Sequence, residues 1–272
     1  MPAPTEITAT ELFRLIGIPG APLVIDVRNE EDYASDPRLI PGSVRRDWAK
    51  VAEWGEEFRG RQIVACCHHG AKLSQGVAAW LRHDGIEAES LAGGFVAWTE
   101  AKLPLLQADK IPPRGVRGST VWVTRARPKI DRIACPWLIR RFIDPTAVFL
   151  FVTPAEVQGV ADRFGATPFD IENTLWSHRG ETCTFDTLLD EIGPDTPVLR
   201  RLATIVRGAD TARLDLAPES AGLLAVSLGF SRMHKDDLTQ LEAAMAIYDG
   251  FYRWCRDARD ETHNWPAAKR AP

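Results

Sequence analysis

The segment with the clearest potential for chemistry contains two adjacent cysteines, two histidines, a glycine and a lysine, and it runs from Ala65 to Ser74. It lies between a β-branched run that predicts a buried strand and a pattern that predicts a helix. In such a loop, backbone N–H groups point inward and the helix N-terminus adds partial positive charge, so we expect it to bind an anion. The same field favours a thiolate, which makes a cysteine at the head of the loop a candidate nucleophile for sulfur transfer.

The elements around this segment predict an α/β layer structure built on a mainly parallel sheet. Thr8 and Glu11 form a capping-box pattern, so a first helix begins near residue 9. Apolar runs predict strands over 23–27, 62–66 and 87–91. A helix that ends at Gly85 follows the second of these strands, and another follows the third over 95–101. The first of these two helices offers Val77, Ala78, Trp80 and Leu81 for packing.

A Pro- and Gly-rich stretch divides the chain into two predicted folding units. We predict a first domain over 1–107, a linker over 108–118 and a second domain over 119–272. The second domain is predicted to be mostly helical with a few strands, at 120–124 and 148–152. It includes a capped helix over 153–164 and a long helix with an apolar stripe. The stripe consists of Leu238, Leu241, Met245, Tyr248, Tyr252 and Cys255.

Four motifs in the first hundred residues resemble, in their order and spacing, the motifs of a single rhodanese domain. They are Asp26-Val27-Arg28, Ile40-Pro41-Gly42-Ser43, Cys67 with Gly70 three residues on, and the segment from Gly93 to Trp98. The resemblance implies a rhodanese-like fold with Cys67, and not Cys66, as the catalytic nucleophile. It also implies supporting roles for Asp26 and Arg28.

The predicted anion-binding loop is one residue longer than the usual loop of this family. Ser74 stands seven positions after Cys67, where relatives have a Ser or Thr six positions on, and Leu73 occupies the place of the Arg that phosphate- and arsenate-handling relatives share. A wider loop suits an oxyanion larger than thiosulfate, or a persulfide carried by another protein. The alternatives are an inert domain and a redox pair of Cys66 and Cys67. The loop comprises His68, His69, Gly70, Ala71, Lys72, Leu73 and Ser74.

Residues 119–260 resemble the C-terminal domain of ChrB-type chromate-resistance proteins. The resemblance rests on the segments 124–144, 178–181 and 207–210. Regulatory members of that family carry an N-terminal winged-helix region, and the rhodanese-like domain takes its place here. We therefore expect no nucleic-acid partner, in keeping with a net charge of −4.

The second domain contains a basic cluster where a strand should turn into a helix. With His178, this cluster is a candidate anion site; the alternative is that the arginines are solvated or paired with carboxylates. Other side chains permit a metal site, but their spacing matches no standard zinc pattern, so we expect no metal and no other cofactor. The cluster is Arg125, Arg127, Lys129 and Arg132, and the side chains that permit a metal are Asp131, Cys135, His178, Cys183 and His234.

The amino-acid composition is that of a globular protein and not that of a small secreted protein held together by disulfides. Apolar residues make up 45% and charged residues 26% of the 272 residues, and five cysteines argue against a disulfide framework. With no apolar run near 20 residues and no signal pattern, we expect a cytoplasmic protein without membrane contact.

The sequence as a whole predicts a rhodanese-like sulfurtransferase linked to chromate resistance. Its predicted partners are thiosulfate, chromate or another small sulfur compound or oxyanion, and a thiol or a protein as the sulfur acceptor. The alternatives are a non-catalytic oxyanion sensor and a thiol-dependent chromate reductase.

Overall fold

The computed structural model describes residues 5–115 and 118–261. Residues 116–117 of the predicted linker and 262–272 of the predicted second domain lie outside the described residues. The N-terminal part is built on a five-stranded parallel sheet in the order β1-β5-β4-β2-β3. Its strands are β1 (Glu6–Ile7), β2 (Leu23–Asp26), β3 (Val44–Arg45), β4 (Ile63–Cys66) and β5 (Ala88–Leu91).

Helices flank both faces of this sheet, as parallel strands require. The first begins as the sequence predicts, because the Thr8 hydroxyl accepts from the Glu11 N–H and the Glu11 carboxylate accepts from the Thr8 N–H. The helices are α1 (Ala9–Leu15), α2 (Glu30–Ser35), α3 (Val51–Trp54), α4 (Lys72–His83) and α5 (Gly94–Glu100).

The second part contains a three-stranded parallel sheet in the order β7-β6-β8, surrounded by helices. Its strands are β6 (Val121–Arg125), β7 (Val148–Val152) and β8 (Thr167–Pro168). Its helices are α6 (Asp131–Leu138), α7 (Val157–Phe164), α8 (Thr184–Ile192), α9 (Pro197–Asp210), α10 (Ser220–Met233) and α11 (Asp237–Arg253). Among the described residues, no helix has the length and apolar character to cross a membrane.

Successive side chains of the central strands point to opposite sides of the first sheet, so its two faces pack against different residues. Leu23, Ile25 and Ala65 pack into one cluster, which also contains side chains of α3 and α4. Val24 and Val64 pack into another, with α1 and α5. This second cluster continues into the C-terminal part, where it includes Trp122, Trp137 and Phe185 among the fully buried side chains.

Backbone contacts join the two parts as well. The Gly42 N–H donates to the Phe142 carbonyl at 2.6 Å, and the Gln107 N–H donates to the Ile192 carbonyl at 2.7 Å. Ala108 and Ile111, which belong to the predicted linker, pack against the shared apolar cluster. The predicted domain limits stay a prediction, but the described part of this segment packs on the core.

The fold class predicted from the sequence is confirmed: a parallel α/β unit precedes a mostly helical part with a small sheet. Two apolar side chains differ from expectation, since Trp80 and Leu238 are each 48% exposed and do not pack in the core. Both lie on helices whose other stripe residues are buried, so local periodicity overestimated the width of the buried face.

Candidate functional site

Cys67 stands at the carboxyl end of a central strand, directly before a loop and a helix. Strand β4 ends at Cys66, and α4 begins at Lys72. The Cys67 side chain lies on the α4 side of the sheet and is 5% exposed. Its Sγ is 3.1 Å from the Ser74 hydroxyl and 3.8 Å from the Ala71 carbonyl. The longer loop therefore still brings a hydroxyl from the first turn of α4 to the sulfur.

Two glycines let the loop lie directly against the start of α5. The Phe95 N–H donates to the Cys67 carbonyl at 2.9 Å, and the Val96 N–H donates to the His68 carbonyl at 3.0 Å. Gly70 and Gly94 adopt positive φ angles of 66° and 60°. A Cβ at Gly70 would lie 2.3 Å from the Leu91 carbonyl oxygen, and one at Gly94 would lie 2.3 Å from that of Cys67. Only glycine fits this approach of two backbones.

The carbonyls of Cys67 and His68 thus accept from α5, whereas the loop N–H groups remain available. Within the part of the chain that the structure describes, the backbone N–H groups of residues 68–74 have no hydrogen-bond acceptor. Such a run of free donors beside a helix N-terminus is the arrangement that binds anions. His69 and Lys72 are exposed, His68 is half-buried and packs edge-on against His69, and Leu73 packs on the α4 side of the sheet.

Cys66 has a different environment, although it is adjacent in sequence. It is 1% exposed and faces the shared apolar cluster on the opposite side of the sheet. Burial raises the pKa of the Cys66 thiol well above its ordinary value, with the Asp26 carboxylate adding to the effect. This thiol therefore stays protonated at neutral pH.

Asp26 and Arg28 form a buried ion pair at 2.6 Å at the carboxyl end of β2. The Arg28 guanidinium also donates to the carbonyls of Asp36 and Arg38 and lies 3.8 Å above the Phe95 ring. The pair thus connects β2, the 36–38 loop and α5. This arrangement supports the loop from behind, and all three guanidinium nitrogens of the buried Arg28 side chain donate to acceptors within the chain.

The basic cluster of the second domain is largely occupied by acceptors within the chain. Arg125 and Arg132 both contact Asp170 Oδ2, at 3.3 and 3.2 Å. Arg127 donates to the carbonyls of Ser231 and His234 near the end of α10, and Lys129 is exposed. The anion site proposed for these residues stays a prediction, and the geometry favours their pairing within the chain.

His178, in contrast, lies at the centre of a cluster of carboxylates at the carboxyl ends of β6 and β8. Its Nε2 is 3.5 Å from Asp131 Oδ2, 3.4 Å from Asp170 Oδ1 and 3.2 Å from Asp210 Oδ2. Its close contact with Asp131, and then with Asp170 and Asp210, raises the pKa of His178 to about 12. Burial raises the pKa of Asp131 to about 6.

Asp170 and Asp210 were not identified as site residues from the sequence. Asp170 follows β8, a strand of only two residues that carries no periodic signal. Asp210 ends α9, far along the chain from Asp131. A partial signal existed for Asp210, which lies in a segment that resembles ChrB-type proteins.

Cys135 and Cys183 lie beside Asp131 and Asp186, with their Sγ atoms 3.3 and 3.4 Å from a carboxylate oxygen. Burial raises the pKa of both thiols.

The parallel sheet and the cysteine loop define the N-terminal part as a rhodanese-like domain, and the family signature "Rhodanese-like domain" matches residues 8–101. The signature "ChrB, C-terminal domain" matches residues 122–255. Protein ChrB of Cupriavidus metallidurans is 34% identical over 224 residues, which cover 75% of this chain and 67% of that protein. The chain belongs to the ChrB family, and it combines a ChrB C-terminal domain with a rhodanese-like domain.

Two solved structures similar to this chain each cover just over a third of it. A rhodanese-related protein from Thermoplasma volcanium is 24% identical, with 37% of this chain and 95% of that chain covered and a TM-score of 0.32. A thiosulfate sulfurtransferase from Pseudomonas aeruginosa is 27% identical, with 38% of this chain and 19% of that chain covered and a TM-score of 0.33.

Proposed function

We propose that this protein is a sulfurtransferase that carries sulfur as a persulfide on Cys67 and serves a chromate-related role. The rhodanese-like domain and the ChrB C-terminal domain together support the chromate-related role. The transfer activity rests on one observation: the Cys67 Sγ stands at the head of a loop whose backbone N–H groups at 68–74 are free of acceptors.

The proposed reaction has two balanced steps, here with thiosulfate as donor. The Cys67 thiolate attacks the outer sulfur of thiosulfate, the S–S bond breaks, and sulfite leaves with the bonding electron pair. A thiolate acceptor, or cyanide in an assay, then attacks the outer sulfur of the Cys67 persulfide and restores the thiolate. The loop N–H groups are suited to both steps, because the donor and the persulfide are anions.

The local contacts support a role for each part of the loop. The Ser74 hydroxyl is 3.1 Å from the sulfur and donates to the Ala71 carbonyl at 3.2 Å. When Cys67 is a thiolate it can only accept, so the Ser74 hydroxyl then turns its hydrogen to the sulfur and orients it. The N-terminus of α4 favours the negative charge of thiolate and persulfide. Exposed Lys72, in the first turn of α4, attracts an anionic donor to the loop.

The test compares the same substitution at the two adjacent cysteines of the full chain. Cys67→Ser is expected to abolish sulfur transfer from thiosulfate to cyanide, and Cys66→Ser to retain most of it, because only Cys67 faces the loop. Mass spectrometry after thiosulfate treatment should show one added sulfur on Cys67. Equal losses in the two variants, or no added sulfur on the wild-type chain, contradict the proposal.

A further inference from the structure

The carboxylate cluster around His178 belongs to the second domain, and the sulfur transfer proposed for Cys67 does not use it. We propose that this cluster is a binding site for one divalent first-row metal ion, with Asp131, Asp170 and His178 as ligands and Asp210 as a third carboxylate beside them. The proposal replaces our sequence-based expectation that the chain holds no metal.

The spacing of the donor atoms fits a shared ion. One oxygen from each of Asp131 and Asp170 and one ring nitrogen of His178 all lie within 4.8 Å of one another. The two oxygens are 3.5 and 3.4 Å from His178 Nε2. Ligands placed tetrahedrally at about 2.1 Å from a metal are about 3.4 Å apart, so these atoms have nearly the required separation.

A proton on His178 does not account for this convergence. The Nε2 position carries at most one hydrogen and forms one good hydrogen bond, but oxygens from three carboxylates lie within 3.5 Å of it. The two arginines nearby contact the other oxygen of Asp170. A divalent ion satisfies all the converging lone pairs at once, which a single hydrogen cannot do.

The two central carboxylates are buried and held in place by neighbouring donors. Asp131 is 1% exposed and accepts from the N–H groups of Thr184 and Phe185 at the start of α8. Asp170 is 7% exposed, and its Oδ1 accepts from the Thr184 hydroxyl. Fixed ligands of this kind need little reorganisation when an ion binds. The His178 side chain is 39% exposed, which leaves a path for an ion from solvent.

The donor set selects the class of ion. Carboxylate oxygens favour hard ions such as Mn²⁺, and imidazole favours first-row transition ions over Mg²⁺ and Ca²⁺. Cys135 Sγ lies against Asp131 Oδ1, whereas Oδ2 is the oxygen that faces His178, so no thiolate joins the set. One nitrogen with two or three carboxylates therefore suits Mn²⁺ or Zn²⁺: the carboxylates favour Mn²⁺, and the tetrahedral spacing of the donor atoms favours Zn²⁺.

The test measures Mn²⁺ and Zn²⁺ binding to the full chain after treatment with a chelator. Electron paramagnetic resonance of free Mn²⁺ should show one bound ion per chain, and added Zn²⁺ should displace it. Bound Mn²⁺ should also raise the midpoint of thermal unfolding in a concentration-dependent way. His178→Ala is expected to weaken Mn²⁺ binding at least about tenfold. His234→Ala is the matched control and should bind as the wild type does.

The location of the ion is tested separately, in case His178→Ala fails to fold. An anomalous difference map from crystals soaked in Mn²⁺ should place the ion in contact with His178 Nε2 and with oxygens of Asp131 and Asp170. The proposal is overturned if the folded wild-type chain binds neither Mn²⁺ nor Zn²⁺ at millimolar concentration, which would make the cluster an ion-pair network of protonated His178. Loss of binding in His234→Ala alone, or an ion located elsewhere, also overturns it.

Discussion

Cys66 and Cys67 show how one position along a strand changes the chemistry of a side chain. Successive side chains point to opposite faces at the end of β4, so Cys66 enters the shared apolar cluster and Cys67 faces the start of α4. Burial raises the pKa of Cys66 and keeps this thiol protonated. The Ser74 hydroxyl lies on the side of Cys67, 3.1 Å from its sulfur.

At the scale of the residue, Ser74→Ala tests how much the hydroxyl beside the sulfur contributes. The substitution removes one hydrogen bond to the thiolate, worth about 1 kcal/mol, so the rate of persulfide formation should fall about fivefold to tenfold. To measure the rate, the protein is mixed with thiosulfate, the reaction is quenched at a series of times, and the fraction of persulfide is determined by mass spectrometry. Ser35→Ala, which removes an exposed hydroxyl at the end of α2, serves as the control. An unchanged rate in Ser74→Ala would show that the hydroxyl does not act on the sulfur.

At the scale of the element, the cysteine loop keeps its shape because α5 begins directly against it. Gly94→Ala places a Cβ 2.3 Å from the Cys67 carbonyl oxygen, at a positive φ of 60°. We expect it to lower the free energy of unfolding by about 1–3 kcal/mol and to reduce sulfur transfer. Gly76→Ala is the control, because a Cβ there meets nothing within 4 Å and alanine should stabilise α4 by about 0.5–1 kcal/mol. Urea unfolding measures both changes, and equal effects would contradict the argument.

A second element-scale prediction concerns the buried carboxylate that connects the segment before β6 to the start of β7. Asp144 pairs with Arg114 at 2.9 Å and accepts hydrogen bonds from Thr120 and Thr146. Burial by itself would raise the pKa of Asp144, but the Arg114 charge and these hydrogen bonds hold it below its ordinary value of 3.8. A lowered pKa means that this stabilisation is present above about pH 4 and is lost as the pH falls through the value in the folded protein.

Asp144→Asn should therefore lower the free energy of unfolding near pH 7 by about 3–5 kcal/mol, because it leaves Arg114 without its buried partner. The difference from the wild type should shrink as the pH falls below 4. Urea unfolding at a series of pH values measures this, with Asp162→Asn on the exposed face of α7 as the control. A difference that stays constant down to pH 3 would rule out Asp144 as the titrating group.

At the scale of the whole molecule, the two family domains share one apolar cluster. Phe142 lies at their junction: its ring packs against Gly17, and its carbonyl accepts from the Gly42 N–H. Within the second domain its ring contacts those of Trp137 and Tyr252 edge-on. Phe142→Ala should lower the free energy of unfolding by about 3–5 kcal/mol. Because the cluster is continuous, fluorescence and circular dichroism should still report one transition.

Phe164→Ala is the matched control for this prediction. Phe164 is 61% exposed at the end of α7, so its truncation should change the free energy of unfolding by less than about 0.5 kcal/mol. Two separate transitions in the wild-type chain would show that the domains unfold independently and that the shared cluster does not couple them.

Interactions between residues that are close in sequence explain which elements could be predicted from the sequence. The capping box at Thr8, the β-branched runs and the Pro and Gly residues of the turns act within a few residues, so the longer strands and most helices follow from them. The short strands β1, β3 and β8 have only two residues each and gave no periodic signal. Their existence depends on a neighbouring strand that is distant in sequence. The widths of the buried helix faces at Trp80 and Leu238 also depended on which partners were in reach.

The sequence by itself determined the α/β character of the N-terminal part and the position of Cys67 at the head of a loop, because strand, loop and helix are contiguous there. Only the tertiary structure decided which side chains meet at His178. Its three carboxylates come from the start of α6, the loop after β8 and the end of α9. Long-range packing of helices around a small parallel sheet brings these residues together, and no spacing along the chain encodes that arrangement.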